Sequence, residues 1–229
     1  MLREPSASEI TYMMNMVERL FDEDFYEKVV VYGGSTCCWE CMDRTFRDWT
    51  YEHEDLANEY GLEFHSGVTK ICIIPMEFDW VVKIGRVERN HENDTNYCAL
   101  EADYFQKAID NHVADAFAAT YEIGEVRGVP IFAQEWVEVN EDGNSNRMYD
   151  YMSSITPIYD DEDPDRYNDR ISDEVDYMTD EDRIYAMLGE DRGDVVDFVL
   201  TFDIDDLHQG NWGVNRDGKC VMIDFSGYN

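Results

Sequence analysis

The sequence predicts an α+β fold in which helices flank a small antiparallel sheet. Apolar residues recur at helical spacing over residues 7–22, whereas residues 62–85 are rich in Val and Ile, a composition that favours short strands. A second strand pair is predicted at residues 117–126 and 130–139. Helical spacing returns after residue 180, so we expect the sheet to occupy the middle of the chain.

The first 60 residues are predicted to be helical. Ser6-Ala7-Ser8-Glu9 has the form of a capping box, which marks the start of the first helix. The segment from Thr36 to Glu59 also has a helical pattern. We therefore expect a helical N-terminal extension over residues 1–60.

The strands of the middle segment have recognisable limits. Pro75-Met76-Glu77 interrupts residues 62–85, so the last strand of this group spans Asp79 to Ile84. Asp94 can cap a helix that runs to about Asn111. Arg127-Gly128 is expected to form the turn between the two later strands.

Acidic residues dominate the following segment. Residues 141–206 contain 22 Asp and Glu against five Arg. Asn140 to Asn146 is polar, which predicts a connection between two parts of the molecule. Tyr159 to Asp169 is predicted to be an exposed loop, because so many carboxylates repel one another in a packed setting. Asp180 to Phe202 predicts one helix, or two helices broken near Gly193.

The charge of the whole chain excludes some functions. With 18 Lys and Arg against 52 Asp and Glu, the net charge is −34. Such a surface repels phosphate backbones and anionic lipids, so we expect neither direct nucleic-acid binding nor membrane binding. The hydrophobic fraction of 44% suffices for a core. No signal-peptide pattern follows Met1, so a cytoplasmic location is expected.

The cysteines allow two interpretations. Cys38-x-x-Cys41 has the spacing of a zinc or redox motif, but no second pair of ligands stands at metal-binding spacing. The sequence therefore favours buried free thiols over a zinc site.

The most specific signal lies near the end of the chain. Asp206-Leu207-His208-Gln209-Gly210-Asn211 precedes a predicted hairpin with a turn at Asp217-Gly218, and Asp224 follows that hairpin. Phosphoryl transfer needs one carboxylate to orient the attacking hydroxyl, and an amide oxygen and a second carboxylate to hold Mg²⁺. A tight hairpin would bring Asn211 and Asp224 to the same edge of the sheet. His208 is interpreted as a loop-packing or hydrogen-bonding residue and not as a base or a metal ligand.

This segment resembles the catalytic loop of the protein-kinase-like superfamily, in particular aminoglycoside-phosphotransferase-type kinases and compact bacteriophage protein kinases. The resemblance implies that Asp206 is the catalytic aspartate, that Asn211 is a metal ligand, and that Asp224 is the aspartate of the Asp-Phe-Gly motif. Ser226 replaces the glycine of that motif, and Ile204-Asp205 replaces the His-Arg of eukaryotic kinases. A bacteriophage origin would place the protein in the host cytoplasm.

The resemblance also implies an ATP site upstream. Lys83, in an apolar strand, would reach the nucleotide phosphates, and Glu101 on the next helix would orient it. Ser66 and Gly67 would belong to the turn that covers the phosphates. Glu135 and Val137 would belong to the hinge that binds adenine. The implied fold is a two-lobed kinase-like one, with an antiparallel-sheet N-lobe at residues 61–140 and a reduced helical C-lobe at residues 141–229.

Two departures leave the function open. The covering turn has a single glycine, and only five residues follow Asp224, so the usual substrate platform is expected to be missing. The favoured hypothesis is an ATP- and Mg²⁺-dependent kinase acting on protein Ser/Thr. The alternative is an inactive pseudokinase whose acidic residues bind or inhibit basic, nucleic-acid-binding proteins. A small-molecule kinase is the third hypothesis.

Overall fold

The protein is described by a computed structural model that covers residues 3–32, 39–88, 95–159, 163–205 and 207–226. It divides into two compact units. The sheet unit comprises Met1–Phe105 and Ala119–Trp136, and the C-terminal unit comprises Gln106–Ala118 and Val137–Asn229.

Both helices and strands are present, which confirms the α+β class. The α-helices are α1 Ala7–Leu20, α2 Glu23–Phe25, α3 Trp39–Glu52, α4 Glu54–Tyr60, α5 Tyr97–Asp110, α6 Glu141–Ile155, α7 Pro164–Asp176, α8 Asp180–Leu188 and α9 Gly193–Thr201. The strands are β1 Val31–Tyr32, β2 Leu62–Ser66, β3 Lys70–Pro75, β4 Trp80–Gly85, β5 Val87–Glu88, β6 Thr120–Val126, β7 Val129–Glu135, β8 Trp212–Val214 and β9 Cys220–Met222. A π-helix spans Tyr26–Val30, and 3₁₀ turns span Ala114–Ala116 and Gln209–Asn211.

The sheet unit is built on a five-stranded antiparallel sheet in the order β2-β3-β4-β7-β6. Two or three short strands are predicted over residues 62–85, and the structure has three, β2, β3 and β4. The later hairpin is also confirmed, with Arg127 and Gly128 both at positive φ in its turn. β4 pairs directly with β7, and the chain between these two strands forms β5, α5 and β6 before it returns to the middle of the sheet.

The two faces of the sheet differ in chemistry. Ile71, Ile73, Val82 and Ile84 lie on one face and share a core with buried residues of α1. The opposite face carries Lys70 and Lys83, because side chains alternate along a strand. The first helix therefore shares a core with the sheet, and its predicted capping box at Ser6 is present.

The start of α5 is fixed against the end of β4. Asn96 Oδ1 accepts hydrogen bonds from Cys98 N at 3.1 Å and Ala99 N at 3.2 Å, so Asn96 caps the helix. A side chain at Gly85 would collide with this amide. Asp94, the predicted cap, lies outside the described residues.

Two loop predictions in the C-terminal unit are wrong. The connection predicted at Asn140 to Asn146 is the first half of α6, whose Gly143 N–H donates to the capping Asn140 Oδ1 at 2.9 Å. The exposed loop predicted at Tyr159 to Asp169 is helical from Pro164 onward. Asp163 caps that helix, and proline suits its first position because the first N–H needs no partner.

The rest of the C-terminal unit follows the sequence pattern. Asp180 to Phe202 forms two helices, α8 and α9. Gly189, which lies between them, has a positive φ of 104°. The predicted hairpin is β8–β9, in which Trp212 pairs with Met222. Phe225 is fully buried beyond this hairpin and packs edge-on against Phe117, with ring centroids 5.1 Å apart.

No helix in the described ranges combines the length and apolar composition that crossing a membrane requires. Among the described residues, Cys72, Cys98 and Cys220 form no disulfide bond. The Cys38-x-x-Cys41 motif lies outside the part of the chain whose side chains are described.

Candidate functional site

The structure brings Lys83 and Glu101 together in the interior of the sheet unit. Lys83 lies on β4, and its Nζ donates to Glu101 Oε2 at 2.8 Å. Glu101 is fully buried in the first half of α5, and Lys83 is 4% exposed. The contact that the sequence predicts between these residues is therefore present, and it joins the sheet to α5.

A second lysine contacts the same carboxylate. Lys70, the first residue of β3, has its Nζ 2.5 Å from Glu101 Oε1 and is also 4% exposed. We call Lys70, Lys83 and Glu101 the lysine–glutamate cluster. Sequence reasoning missed Lys70. The sequence feature that could have indicated Lys70 is its position as the first residue of a strand that is otherwise apolar.

Two polar side chains of the sheet border this cluster. Gln134 Nε2 lies 3.5 Å from Glu101 Oε2 and donates to Thr120 Oγ1 at 2.9 Å. Both residues are buried. Gln134 is thus a residue of β7 with its side chain directed to Glu101. Both oxygens of the Glu101 carboxylate therefore contact N–H donors of the sheet.

The thiol of Cys98 also lies near this charge. Burial raises the pKa of Cys98 well above its usual value, and the Glu101 carboxylate raises it further. A thiol with a raised pKa stays protonated and is a poor nucleophile. Cys98 is fully buried and therefore belongs to the packing around the cluster.

Lys83 retains hydrogen-bonding capacity. An ammonium carries three N–H donors, and among the described residues Glu101 is the only acceptor for Lys83. A buried donor without an acceptor costs free energy comparable to a lost hydrogen bond. The remaining donors of Lys83 are thus available to an anionic ligand.

Ser66 and Gly67 lie where β2 turns into β3. Ser66 Oγ accepts a hydrogen bond from the buried Arg86 at 2.5 Å, and Gly67 N–H donates to Lys70 O at 2.8 Å. Arg86 N–H also donates to Thr69 O at 2.8 Å. The turn is therefore held by its own bonds, and the amide of its single glycine is already used.

The predicted hinge residues differ in their backbone hydrogen bonds. Glu135 N–H donates to Ala119 O at 2.7 Å, and Trp136 N–H donates to Asp79 O at 2.8 Å. Within the described ranges, the N–H of Val137 makes no hydrogen bond. Of these three amides, Val137 is therefore the one that can donate to a ligand.

In the C-terminal unit, the β8–β9 hairpin brings Asn211 beside Ile223, the residue before Asp224. Asn211 ends the 3₁₀ turn and is 6% exposed, and its carbonyl accepts from Ile223 N at 2.9 Å. Asp224 follows Ile223 in the chain and has a φ of +52°. This left-handed conformation is unfavourable for most residues but is tolerated by Asp. The predicted proximity of Asn211 and Asp224 along the hairpin is thus present in the backbone.

The loop before Asn211 is held by the buried side chain of Asn144 and the half-buried side chain of Arg183. Asn144 on α6 donates from Nδ2 to Gln209 O at 2.8 Å and to Trp212 O at 3.0 Å. Arg183 on α8 donates to Leu207 O at 3.3 Å. Sequence reasoning missed both residues, because it assigned Asn144 to a connection and gave Arg183 no role.

Two residues of the predicted catalytic loop remain. Asp206, the predicted catalytic aspartate, lies outside the described residues, so its role stays a prediction. His208 Nδ1 accepts from Gly210 N at 3.0 Å. The interpretation of His208 as a hydrogen-bonding residue of the loop is therefore confirmed.

Among the described residues, no three or more His, Cys, Asp or Glu side chains are grouped so that they could hold a metal ion. The predicted Mg²⁺ ligands, Asn211 and Asp224, supply one amide and one carboxylate. This pair suits Mg²⁺, which binds hard oxygen ligands and commonly takes only one or two carboxylates, the rest of its shell coming from water and phosphate.

No protein-family model matches the chain, and no curated protein matches its sequence.

Proposed function

We propose that this protein is an ATP- and Mg²⁺-dependent phosphotransferase of the protein-kinase-like superfamily that transfers the γ-phosphate to protein Ser/Thr. The observation that carries the proposal is the buried Lys83–Glu101 ion pair, joined at 2.8 Å between a central strand and the following helix. The kinase resemblance requires a lysine and a glutamate in these two positions.

The energetics of the pair favour a ligand-binding role. Removing two charges from water is costly, and well-packed apolar residues often serve stability as well or better. Lys83 also keeps N–H donors beyond the one that Glu101 accepts. An ion pair that served packing alone would gain nothing from such donors, whereas phosphate oxygens would accept them.

The order of elements supports the same proposal. The lysine strand β4 is followed by the two-residue strand β5 and then by α5, β6 and β7, and β4 pairs with β7 in the middle of the sheet. Apart from β5, which pairs with β1 outside this sheet, this is the strand-helix-strand-strand order that the resemblance implies for a kinase N-lobe. The N–H of Val137, just after β7, makes no hydrogen bond to another described residue and is a candidate donor to adenine.

The C-terminal unit supplies the proposed metal ligands. The hydrogen bond between Ile223 N and Asn211 O sets Asp224 next to Asn211 in the backbone. When bound, Mg²⁺ would neutralise charge that develops on the phosphate oxygens. Asn144 and Arg183 hold the carbonyls on either side of the loop, and thereby keep Asn211 in place.

In the proposed reaction, Asp206 accepts the proton of a Ser or Thr hydroxyl as its oxygen attacks the γ-phosphorus. The bond from the γ-phosphorus to the bridging oxygen breaks, and ADP leaves with the bonding electron pair. Lys83 contacts the phosphates of the nucleotide and is held in orientation by Glu101.

Calorimetric titration of ATP with and without Mg²⁺ tests this proposal. We expect binding that depends on Mg²⁺, its loss in Asp224→Ala, and its retention in Asp206→Asn, because Asp206 is assigned to transfer and not to binding. Lys219→Met is a matched control, since Lys219 is exposed and the substitution removes one positive charge. Absence of ATP binding at millimolar concentration would refute the proposal.

A second candidate function, binding of basic proteins, is supported by the surface around α7. Within 155–177, Ile158 is 71% exposed and Tyr177 is 86% exposed, and both adjoin acidic segments of the sequence. Apolar side chains set among carboxylates suit a basic, amphipathic partner. Binding of an Arg- and Lys-rich peptide that weakens with salt, without any ATP effect, would favour this function.

A further inference from the structure

Each oxygen of the Glu101 carboxylate is bound by a different lysine. Lys70 Nζ lies 2.5 Å from Oε1, and Lys83 Nζ lies 2.8 Å from Oε2. The two ammonium groups therefore do not compete for one acceptor. Both are fixed by the same buried group.

The register of the sheet explains how the two lysines meet. Lys83 pairs with Cys72 across β3 and β4, and Lys70 precedes Cys72 by two residues. Lys70 and Lys83 therefore lie on one face as diagonal neighbours, a separation that long side chains can bridge. Two like charges so close repel each other, and Glu101 between them offsets that repulsion.

The turn before Lys70 gives this arrangement a functional meaning. Its single glycine, Gly67, has its N–H engaged with Lys70 O at 2.8 Å. The turn therefore has fewer backbone donors for phosphate than a glycine-rich loop would have. Lys70 follows this turn directly and brings a positive side chain to the same end of the hairpin.

We propose that Lys70 is a second phosphate-binding lysine, which contacts the same polyphosphate chain as Lys83. This inference rests on the proposed nucleotide binding and deepens it. A polyphosphate presents oxygens on successive phosphorus atoms. The ammonium groups of Lys70 and Lys83, both bound to Glu101, can therefore each contact a different phosphate group. The positive side chain of Lys70 supplies the contact that the glycine-poor turn does not.

Binding of Mg²⁺-ATP and of adenosine by the full chain distinguishes this role from a structural one. We expect Lys70→Met and Lys83→Met each to weaken ATP binding by roughly 10- to 100-fold, as expected for loss of a hydrogen bond to a charged group. The double variant should lose more than either single variant. Adenosine binding should be unchanged in all of them, because adenosine has no phosphate.

Lys219→Met serves again as the control for the loss of one positive charge. If Lys70→Met does not fold, Lys70→Gln replaces it, because its amide keeps an N–H donor for Glu101 while the charge is removed. Lys70→Arg, which keeps the charge, should retain most of the ATP affinity.

The outcomes separate this inference from the proposed function. If the unmodified protein binds ATP and the Lys70 variants bind it like Lys219→Met, the role of Lys70 is refuted and the proposed function stands. If the Lys70 variants lose ATP and adenosine binding equally, Lys70 is structural and the inference is wrong. If the unmodified protein binds no ATP, both fail.

Discussion

Replacing Glu101 tests the energetics of the lysine–glutamate cluster most severely. Glu101→Ala leaves two buried ammonium groups, those of Lys70 and Lys83, without the carboxylate that both contact. Removal of one partner of a buried ion pair typically costs about 3–5 kcal/mol. For a chain of this length, each kcal/mol lowers Tm by about 2–4 °C, so we expect a fall of roughly 6–20 °C.

Thermal and urea unfolding followed by circular dichroism would measure this change. Glu125→Ala is the control, since Glu125 is exposed on β6 and its loss should cost no more than about 0.5 kcal/mol. Glu101→Gln separates charge from packing, because it keeps the shape of the side chain and removes the charge. If Glu101→Gln unfolds within about 1 kcal/mol of the unmodified protein, the charge of Glu101 does not hold the lysines, and the reasoning is refuted.

Three further substitutions have expected outcomes. Asp224→Gly should be more stable than Asp224→Ala by about 1 kcal/mol in urea unfolding, because glycine adopts the positive φ of this position without a steric penalty. Both variants should lose Mg²⁺-dependent ATP binding. Equal stability of the two variants would contradict the strained backbone at Asp224. Asn144→Ala leaves two loop carbonyls without their buried donor and should lower the free energy of unfolding by about 1–3 kcal/mol. The rate of phosphate transfer should also fall. A normal rate would show that the loop does not need the support of Asn144. Burial opposes ionisation of Glu9, but hydrogen bonds from Ser6 and the charge of Arg3 outweigh it and lower the pKa of Glu9. The ionised carboxylate therefore stabilises the fold above the ordinary pKa of about 4.5, and this stability is lost as pH falls through the lower folded value. The difference in Tm between the unmodified protein and Glu9→Gln should shrink over that range, and a constant difference would contradict the assignment.

Features that depend on neighbouring residues in the sequence could be predicted. The capping box at Ser6 fixes the start of α1, and the turns at Arg127-Gly128 and Asp217-Gly218 fix two hairpins. In each case the determining contact spans only a few residues, so local chemistry decides it. The pair of Lys83 and Glu101 was predicted from the kinase resemblance, and a charged residue in an apolar strand agrees with it because buried charges are tolerated mainly when paired.

Features that depend on distant contacts were missed. Lys70 reaches Glu101 only because the register of β3 and β4 sets it diagonally to Lys83, and register is not visible in a single strand. Asn144 lies in a polar stretch that resembles a loop, yet it is buried on α6 and binds carbonyls at 209 and 212. Helix α7 was missed because its acidic composition suggested repulsion, whereas Asp163 caps it and Arg170 pairs with Glu174 along it.

Transfer of labelled γ-phosphate from Mg²⁺-ATP to Ser/Thr-containing peptides tests the proposed activity most directly. The account predicts incorporation by the unmodified protein and by Lys219→Met, and loss of incorporation in Asp206→Asn and in the double variant Lys70→Met/Lys83→Met. Equal incorporation by all four proteins, or none by the unmodified protein across a diverse peptide set that includes the chain itself, would contradict it.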